Sequence, residues 1–372
     1  MIIRNKTGVE HKSAIIVGAG PVGLYAGIKL CLEGFEIRIL EKRTKPHQHS
    51  KAIGIHPPML EEFDAIGLAD ALLSAGSFIT KGVACSGKSI IDVNFGSLPY
   101  QFKGILTVPQ FKTEAILRSK LDELQSDCIE WDSGVEEISE QKVRTKRVAL
   151  SADVIIDARG KASWLADGEE NQLEPYPDYY IMGDFDSGEI PRNEAHIWLH
   201  KNGLIESFPL NEKKRRWVVK VDAETSPDPT KIKNKVKNRT GIELDVKSCV
   251  MNSSFTPEWG IRKVIRKDNV IRLGDSAHII SPIGGQGMNL GWLDVEDVLN
   301  YLKNPSEKTE KAVEIAIKSR FLKAKKRSEF NMMMGRAAGP VMRTGKKILL
   351  RLMGIPLLKD HFARQFTMDG LK

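Results

Sequence analysis

Apolar positions change their period several times along the chain, and each change marks an element. Ala14 to Val17 form a short, wholly apolar run that stops at glycines; a helical stretch from about Pro21 to Glu33 and a strand from Glu36 to Leu40 follow. This succession predicts a βαβ opening with parallel strands. Between Pro57 and Ser74, Met59, Leu60, Phe63, Ile66, Leu68, Leu72 and Leu73 recur at helical spacing, and Gly67 divides them into two short helices. From Gly76 to Leu106, and again from Tyr179 to Val221, short alternating segments separated by Gly, Pro, Asn and Asp predict antiparallel sheet.

The first pattern returns twice. A helix from about Gln110 to Leu124 leads, through short strands, to the apolar strand Val154 to Ile156. Later, the strand Val270 to Leu273 runs into Gly274-Asp275, a glycine-rich turn and a helix from Leu290 to Leu302. Two units therefore interleave: a parallel-sheet domain from residues 1–75, 108–174 and 261–330, and an antiparallel-sheet domain from 76–107 and 175–260. Residues 331–372 form a C-terminal helical segment. A chain of 372 residues exceeds what one core usually organises, and a cleft between two units is a preferred place for a ligand.

Composition changes this picture little, with 41% hydrophobic and 28% charged residues as in ordinary globular proteins. Cys31, Cys85, Cys128 and Cys249 are scattered without a CxxC pair, and the residues through Ser13 lack the apolar core of a signal peptide. Free thiols and a cytoplasmic setting are the expectation, and no metal site is expected. The net charge of +8 is compatible with several partners, but the basic runs Lys213 to Arg216 and Lys231 to Arg239 lack the spacing of a nucleic-acid module and read as solvated faces. No nucleic-acid partner is expected. Near the C-terminus, Ile348, Leu349, Leu350, Leu352, Met353, Ile355, Leu357 and Leu358 alternate with Arg343, Lys346, Lys347 and Arg351. Arg351 and Pro356 interrupt the run well short of the roughly 20 residues a bilayer crossing needs. Helices docked on the body are one reading, and peripheral membrane contact through this basic segment is the sharper one.

Two glycine-rich turns carry the chemistry. Gly18-Ala19-Gly20-Pro21-Val22-Gly23 follows a strand and opens a helix: Gly18 permits the tight turn, Gly20 lets a pyrophosphate approach the backbone, and Gly23 allows close packing. Glu41, at the end of the second strand, stands where a carboxylate can accept from adenosine ribose hydroxyls. The second turn is Gly274-Asp275-Ser276-Ala277-His278, continuing through Ser281-Pro282-Ile283-Gly284-Gly285-Gln286-Gly287-Met288-Asn289-Leu290-Gly291. Its glycines let the chain pass close to a ligand without side-chain clash, and the helix that follows begins with free N–H groups.

This second stretch resembles the flavin-ribityl motif of the FAD-dependent aromatic-ring hydroxylases of the para-hydroxybenzoate hydroxylase type, closest in texture to the ubiquinone-biosynthesis branch. The resemblance covers roughly Ala14 to Leu302. It implies an α/β fold: an FAD-binding Rossmann-like domain of the glutathione-reductase type interleaved with an antiparallel β-sheet substrate domain, plus C-terminal helices. It also implies an FAD-dependent monooxygenase that takes electrons from NAD(P)H, forms a flavin C4a-hydroperoxide with O2, and hydroxylates an aromatic or quinone-like molecule.

By the same resemblance Asp275 accepts from a ribityl hydroxyl, and Pro282, Gly285, Gln286, Gly287, Met288 and Asn289 seat the flavin. Gln110 takes the place of a polar residue facing the FAD, and Arg43 and Lys51 match basic positions near its phosphates. At Asp157-Ala158-Arg159-Gly160 the family's usual Asp before the glycine is replaced by Arg159; this Arg either binds phosphate directly or signals a different reductant arrangement. Ser207 to Leu210 and Trp217 to Val219 resemble strands flooring the substrate chamber, and core packing explains them equally well. No catalytic acid or base can be named; Tyr100, Tyr179, His196 and His200 are left without a role. The absence of a second dinucleotide fingerprint favours transient nicotinamide binding. Two rivals share the scaffold: an FAD-dependent reductase of isoprenoid double bonds, resembling geranylgeranyl reductases and acting on a prenylated substrate, and a non-catalytic FAD-binding protein.

Overall fold

A computed structural model describes residues 12–46, 48, 52–87, 89–139, 141–166, 173–211, 213–337, 339, 344–346, 348, 352 and 355–372. The apolar runs that open the chain become the centre of a six-stranded sheet in the order Arg266–Lys267, Val270–Arg272, Val154–Asp157, Ser13–Val17, Glu36–Leu40, Ile129–Glu130. Every joint is parallel except the hairpin at the Arg266 edge. Strands buried on both faces need apolar residues at every position, which is why they read as unbroken runs. Ala14 and Ile16 point into a core shared with the helices Pro21–Leu32, Gln110–Leu124 and Gly287–Lys303, where Tyr25, Phe63 and Trp292 meet edge to face. Ile15 and Val17 point the other way, onto the small antiparallel sheet Val135–Ser139, Lys142–Thr145, Ala149–Leu150.

A second, seven-stranded sheet forms a wall opposite the strand ends of the first. Its order is Met251–Phe255, Tyr179–Asp186, Lys214–Val221, Gly203–Pro209, Glu194–His200, Lys81–Ser86, Ser89–Asn94. The sequence predicts antiparallel pairing throughout, but Glu194–His200 runs parallel to Lys81–Ser86. Strands within one tract are joined by short turns that enforce antiparallel pairing; the two tracts are joined through a long connection that imposes no direction. The tract from Gly76 also gives up its ends, since Ile105–Thr107 pairs with Ser77–Ile79 on one side and with Gly54–Ile55 on the other in a separate three-stranded sheet.

The wall's outer face packs Ile181, Ile205, Trp217 and Val219 against Ile232 and Val236 of the helix Pro229–Thr240. Because both faces are covered, the Lys213 to Arg216 run is solvated only at its start: Lys213 is exposed, but Arg215 and Arg216 are 0% and 2% exposed. Arg215 donates to Ser207 Oγ and to the carbonyls of Pro191, Glu194 and Ser207, whereas Arg216 pairs with Asp184. The Lys231 to Arg239 run keeps its exposed lysines, with only Ile232 and Val236 fully buried.

The helix Glu307–Gly335 begins with a Ser306–Thr309 capping box and continues as one element across the boundary expected at residue 330. The helix Pro356–Phe366 docks on the wall, where Ala363 is buried with Val93 and Phe95 and Phe366 packs against them. Residues 343, 347, 349–351 and 353 of the basic segment lie outside the described residues. Among the described residues no helix is long and apolar enough to cross a membrane; the docked helix agrees with the first reading of the segment, and nothing in it supports the alternative of membrane contact.

Candidate functional site

A cavity of about 900 Å3 lies between the carboxyl ends of the parallel strands and the inner face of the wall, at the upper end of the roughly 300–1,000 Å3 typical of small-molecule and cofactor sites. Val17, Leu40, Glu41, Ala158 and Leu273 form its floor, and residues from all seven wall strands form its far side. Elements widely separated in sequence thus meet where open α/β sheets bind ligands.

At the floor, Gly18 adopts φ +108°, and a Cβ there would stand 2.6 Å from the Ala158 carbonyl oxygen. Only glycine permits that approach. A Cβ on Gly23 would sit 2.0 Å from the Gly18 oxygen, so this residue packs the helix onto the turn and does not line the cavity. Gly20 lines the cavity, and a Cβ on it would meet nothing within 4 Å. The helix Pro21–Leu32 presents its first N–H groups there without a side-chain cap.

Glu41, 5% exposed, accepts from the Ala19 N–H at 2.7 Å and from both the backbone and Nε of Arg43. Burial works to raise its pKa, but these hydrogen bonds overcome it and hold the carboxyl below the usual range. Arg43 also donates to the Ala19 carbonyl and lies 3.7 Å from Glu114, so it braces the turn as well as facing the cavity. Gln110 accepts from the Ala52 N–H and donates to Glu114 at 3.0 Å. Lys51 lies outside the described residues.

Arg159 lines the cavity, but its guanidinium is forked onto Asp157 at 2.9 and 2.8 Å. The Asp157 carboxyl is lowered: burial opposes this, and the hydrogen bonds and charge of Arg159 prevail. Arg159 thus lines the cavity with part of its guanidinium engaged by the chain's own carboxylate two residues back.

The second turn closes over the same cavity. Pro282, Ile283, Gly284, Gly285, Gly287 and Met288 line it, as does Asp275. Gly285 has φ +65° and turns back so that its N–H donates to the Pro282 carbonyl. The helix predicted from Leu290 begins at Gly287, with no side-chain cap and no acid in its first turn; the low helix propensity of glycine hid its first turn.

Gln286 and Asn289 do not line the cavity. Asn289, fully buried, accepts from the His56 N–H and donates to the carbonyls of Gly54 and Gly285, clamping the two loops together. Gln286 is 2% exposed, and its Oε1 has no hydrogen-bond partner. His278, which follows the turn, is buried against Asp294 at 2.7 Å and plays a packing part.

These features fit a dinucleotide carrying a flat ring. An open cradle above Gly20, an uncapped helix start, a carboxylate at the second strand, and a side-chain-free turn at Gly284-Gly285 are the complement of such a group.

Three cavity features escaped the sequence reading. His56 sits 2% exposed at the turn, its imidazole pushed down to about 4 chiefly by burial. The Arg216–Asp184 pair and Glu206 belong to the wall. Glu206 had a usable signal, being one acid inside the otherwise apolar and aromatic strand Gly203–Pro209. His56 had none, since a lone His before a helix is commonplace.

A family model described as an FAD binding domain matches residues 11–312. 6-Methylpretetramide 4-monooxygenase of Streptomyces rimosus is 28% identical over 308 residues, 77% of this chain and 54% of that protein. Rifampicin monooxygenase of Streptomyces venezuelae is 26% identical over 305 residues, 77% of this chain and 62% of that protein. The chain therefore spans between about half and two thirds of the length of these curated relatives. Among solved structures, p-nitrophenol 4-monooxygenase from Pseudomonas putida DLL-E4 superposes with a TM-score of 0.84 at 18% identity, covering 97% of this chain and 99% of that one. That likeness shows the fold, an α/β architecture of parallel and antiparallel sheets with C-terminal helices. The names are those of antibiotic and phenol monooxygenases, so the expected closeness to the ubiquinone-biosynthesis branch finds no support.

Proposed function

Because the chain belongs to the FAD binding domain family, whose model covers residues 11–312, we propose that it is an FAD-dependent monooxygenase that uses NAD(P)H and O2 to hydroxylate an aromatic small molecule. One observation carries this reading: a single cavity joins the glycine-lined cradle to an apolar wall, so cofactor and substrate would share one enclosed space. Relatives named as aromatic-compound and pentachlorophenol monooxygenases support an aromatic ring as the substrate class.

In this reading Gly18, Gly20 and Glu41 hold the adenosine and pyrophosphate, and Asp275 accepts from the ribityl chain. Pro282, Gly285, Gly287 and Met288 lie against the ring, while Gly23, Gln286 and Asn289 shape the turns from behind. Bound FAD supplies acceptance of a hydride from NAD(P)H and activation of O2. The protein's own part is placement and exclusion of water. The uncapped start of the helix Gly287–Lys303 favours negative charge on the ring edge it faces. Ile91, Ile197, Val218 and Met182 keep the substrate side dry.

The division of the chain that accompanies this reading assigns 1–75, 108–174 and 261–330 to cofactor binding and 76–107 with 175–260 to substrate. Purified protein should carry a yellow flavin spectrum, and phenols or quinones should stimulate both NADPH oxidation and oxygen uptake. A colourless protein that refuses added FAD, or ligand-independent turnover across the whole panel, would overturn the proposal.

A further inference from the structure

The inner face of the wall is written in rows by strand register. Pairing sets Ile91 beside Ala84, Ala84 beside Ile197, Ile197 beside Glu206, Glu206 beside Val218, Val218 beside Met182 and Met182 beside Ser253. All seven of these residues line the cavity. Side chains opposite one another across a sheet share a face, so this row is a continuous floor for whatever lies in the substrate end. Its neighbours along the same strand, Leu204 and Phe208, line the cavity too. Glu206 is thus an acid at the centre of an apolar plane, 7% exposed.

We propose that Glu206 determines the substrate, accepting a hydrogen bond from a phenolic hydroxyl on the ring that lies against the wall; this rests on the aromatic-hydroxylase reading above. A buried carboxylate without a partner is costly, and a donor arriving with the substrate removes that cost. Among the described residues no hydrogen bond or ion pair reaches the Glu206 carboxyl, whereas Asp184, on the same face, is held by Arg216 at 2.8 Å. Arg216 is paired with Asp184, so among the described residues this end of the cavity offers no excess cation; a carboxylate-bearing ring is disfavoured and a hydroxyl-bearing one is favoured.

The groups around Glu206 agree. Tyr180, on the strand beyond Lys214–Val221, is buried with an unpartnered hydroxyl, and the Glu206 charge is among the influences that raise its pKa after burial itself. Asp178, which also acts on Tyr180, is bound by Lys220 and by Arg336 at the end of the long helix. That helix contributes the uncharged Phe330, Asn331 and Met334 to the cavity. Burial pushes the Glu206 carboxyl up to about 7, so its acceptor strength changes near neutrality.

The test is calorimetric titration of the FAD-loaded protein with β-naphthol, its methyl ether and β-naphthoate, about one pH unit below and above about 7. On the alkaline side the protein should bind naphthol about tenfold or more tightly than the ether, the size of a hydrogen bond to a charged acceptor. The preference should shrink on the acid side, and naphthoate should bind least. Glu206→Gln should flatten the pH dependence, and Glu206→Leu should reverse the preference toward the ether. Equal binding of naphthol and ether by the native protein, or an unchanged pH-dependent preference in Glu206→Gln, would overturn the inference. Flavin content is read separately from the spectrum after desalting. Loss of colour would count against the cofactor reading, while the heats still decide Glu206.

Discussion

Asp184→Asn removes the carboxylate from a charge pair buried in the wall sheet. Arg216 donates from Nε to Asp184 at 2.8 Å and from Nη2 at 2.9 Å, and the two side chains are 2% and 8% exposed. Two residues along the same strand, Asp186 pairs with Lys214 at 2.7 Å, but its side chain is 62% exposed. The distances are nearly equal, so direct attraction at a common dielectric would be too; solvent is what differs. Removing one partner of a buried pair costs about 3–5 kcal/mol. Removing one from an exposed pair costs about 0–1 kcal/mol. Asparagine keeps one acceptor, so Asp184→Asn should fall toward the lower end of its range, still a large fraction of a typical stability of about 5–15 kcal/mol. Asp186→Asn should be nearly silent. Urea unfolding followed by tryptophan fluorescence suits the site, because Trp198 and Trp217 stack 5.5 Å apart on the opposite face of the same sheet. Asp184→Met with Arg216→Met should recover most of the loss, since an apolar pair needs no desolvation. Equal midpoint shifts for Asp184→Asn and Asp186→Asn would refute the reasoning, because burial would then not be what sets the cost.

Gly23→Ala places a Cβ 2.0 Å from the Gly18 oxygen and should lower the yield of soluble, flavin-bearing protein, against a silent Gly339→Ser control where a Cβ meets nothing. Glu41→Gln removes a charged acceptor at the second strand and should weaken FAD binding by about ten- to a hundredfold, as read by fluorescence titration; unchanged affinity would remove Glu41 from the site. His278 gives a pH signature: burial favours its neutral form, but the Asp294 carboxylate prevails and raises its pKa. A raised folded-state value means its stabilisation is complete below the ordinary histidine value of about 6.5 and is lost as pH rises through the higher folded value. Unfolding measured from about pH 6 upward should therefore show a stability decline that His278→Gln abolishes.

The parallel strands and both glycine turns were readable because their causes are local. A strand buried on both faces must be apolar throughout, and a turn that brings a backbone under a ligand must lack side chains at fixed spacings. The interior of the wall was not readable in the same way. Arg215 and Arg216 form part of a basic run that, by composition, belongs in water, and nothing in the sequence shows that Arg159 forks onto Asp157.

By itself, then, the sequence determined where the chain turns, which segments are strands, and that two distant glycine-rich turns suit one dinucleotide. Tertiary structure alone decided that Lys81–Ser86 would join Glu194–His200 in parallel and that Glu206 would lie at the centre of an apolar row. It also decided that Arg216 would be enclosed and not solvated. The reason is that a side chain's own chemistry sets what it can do, whereas its charge, partner and exposure depend on which remote strand is set against it, and that register is a property of the whole fold.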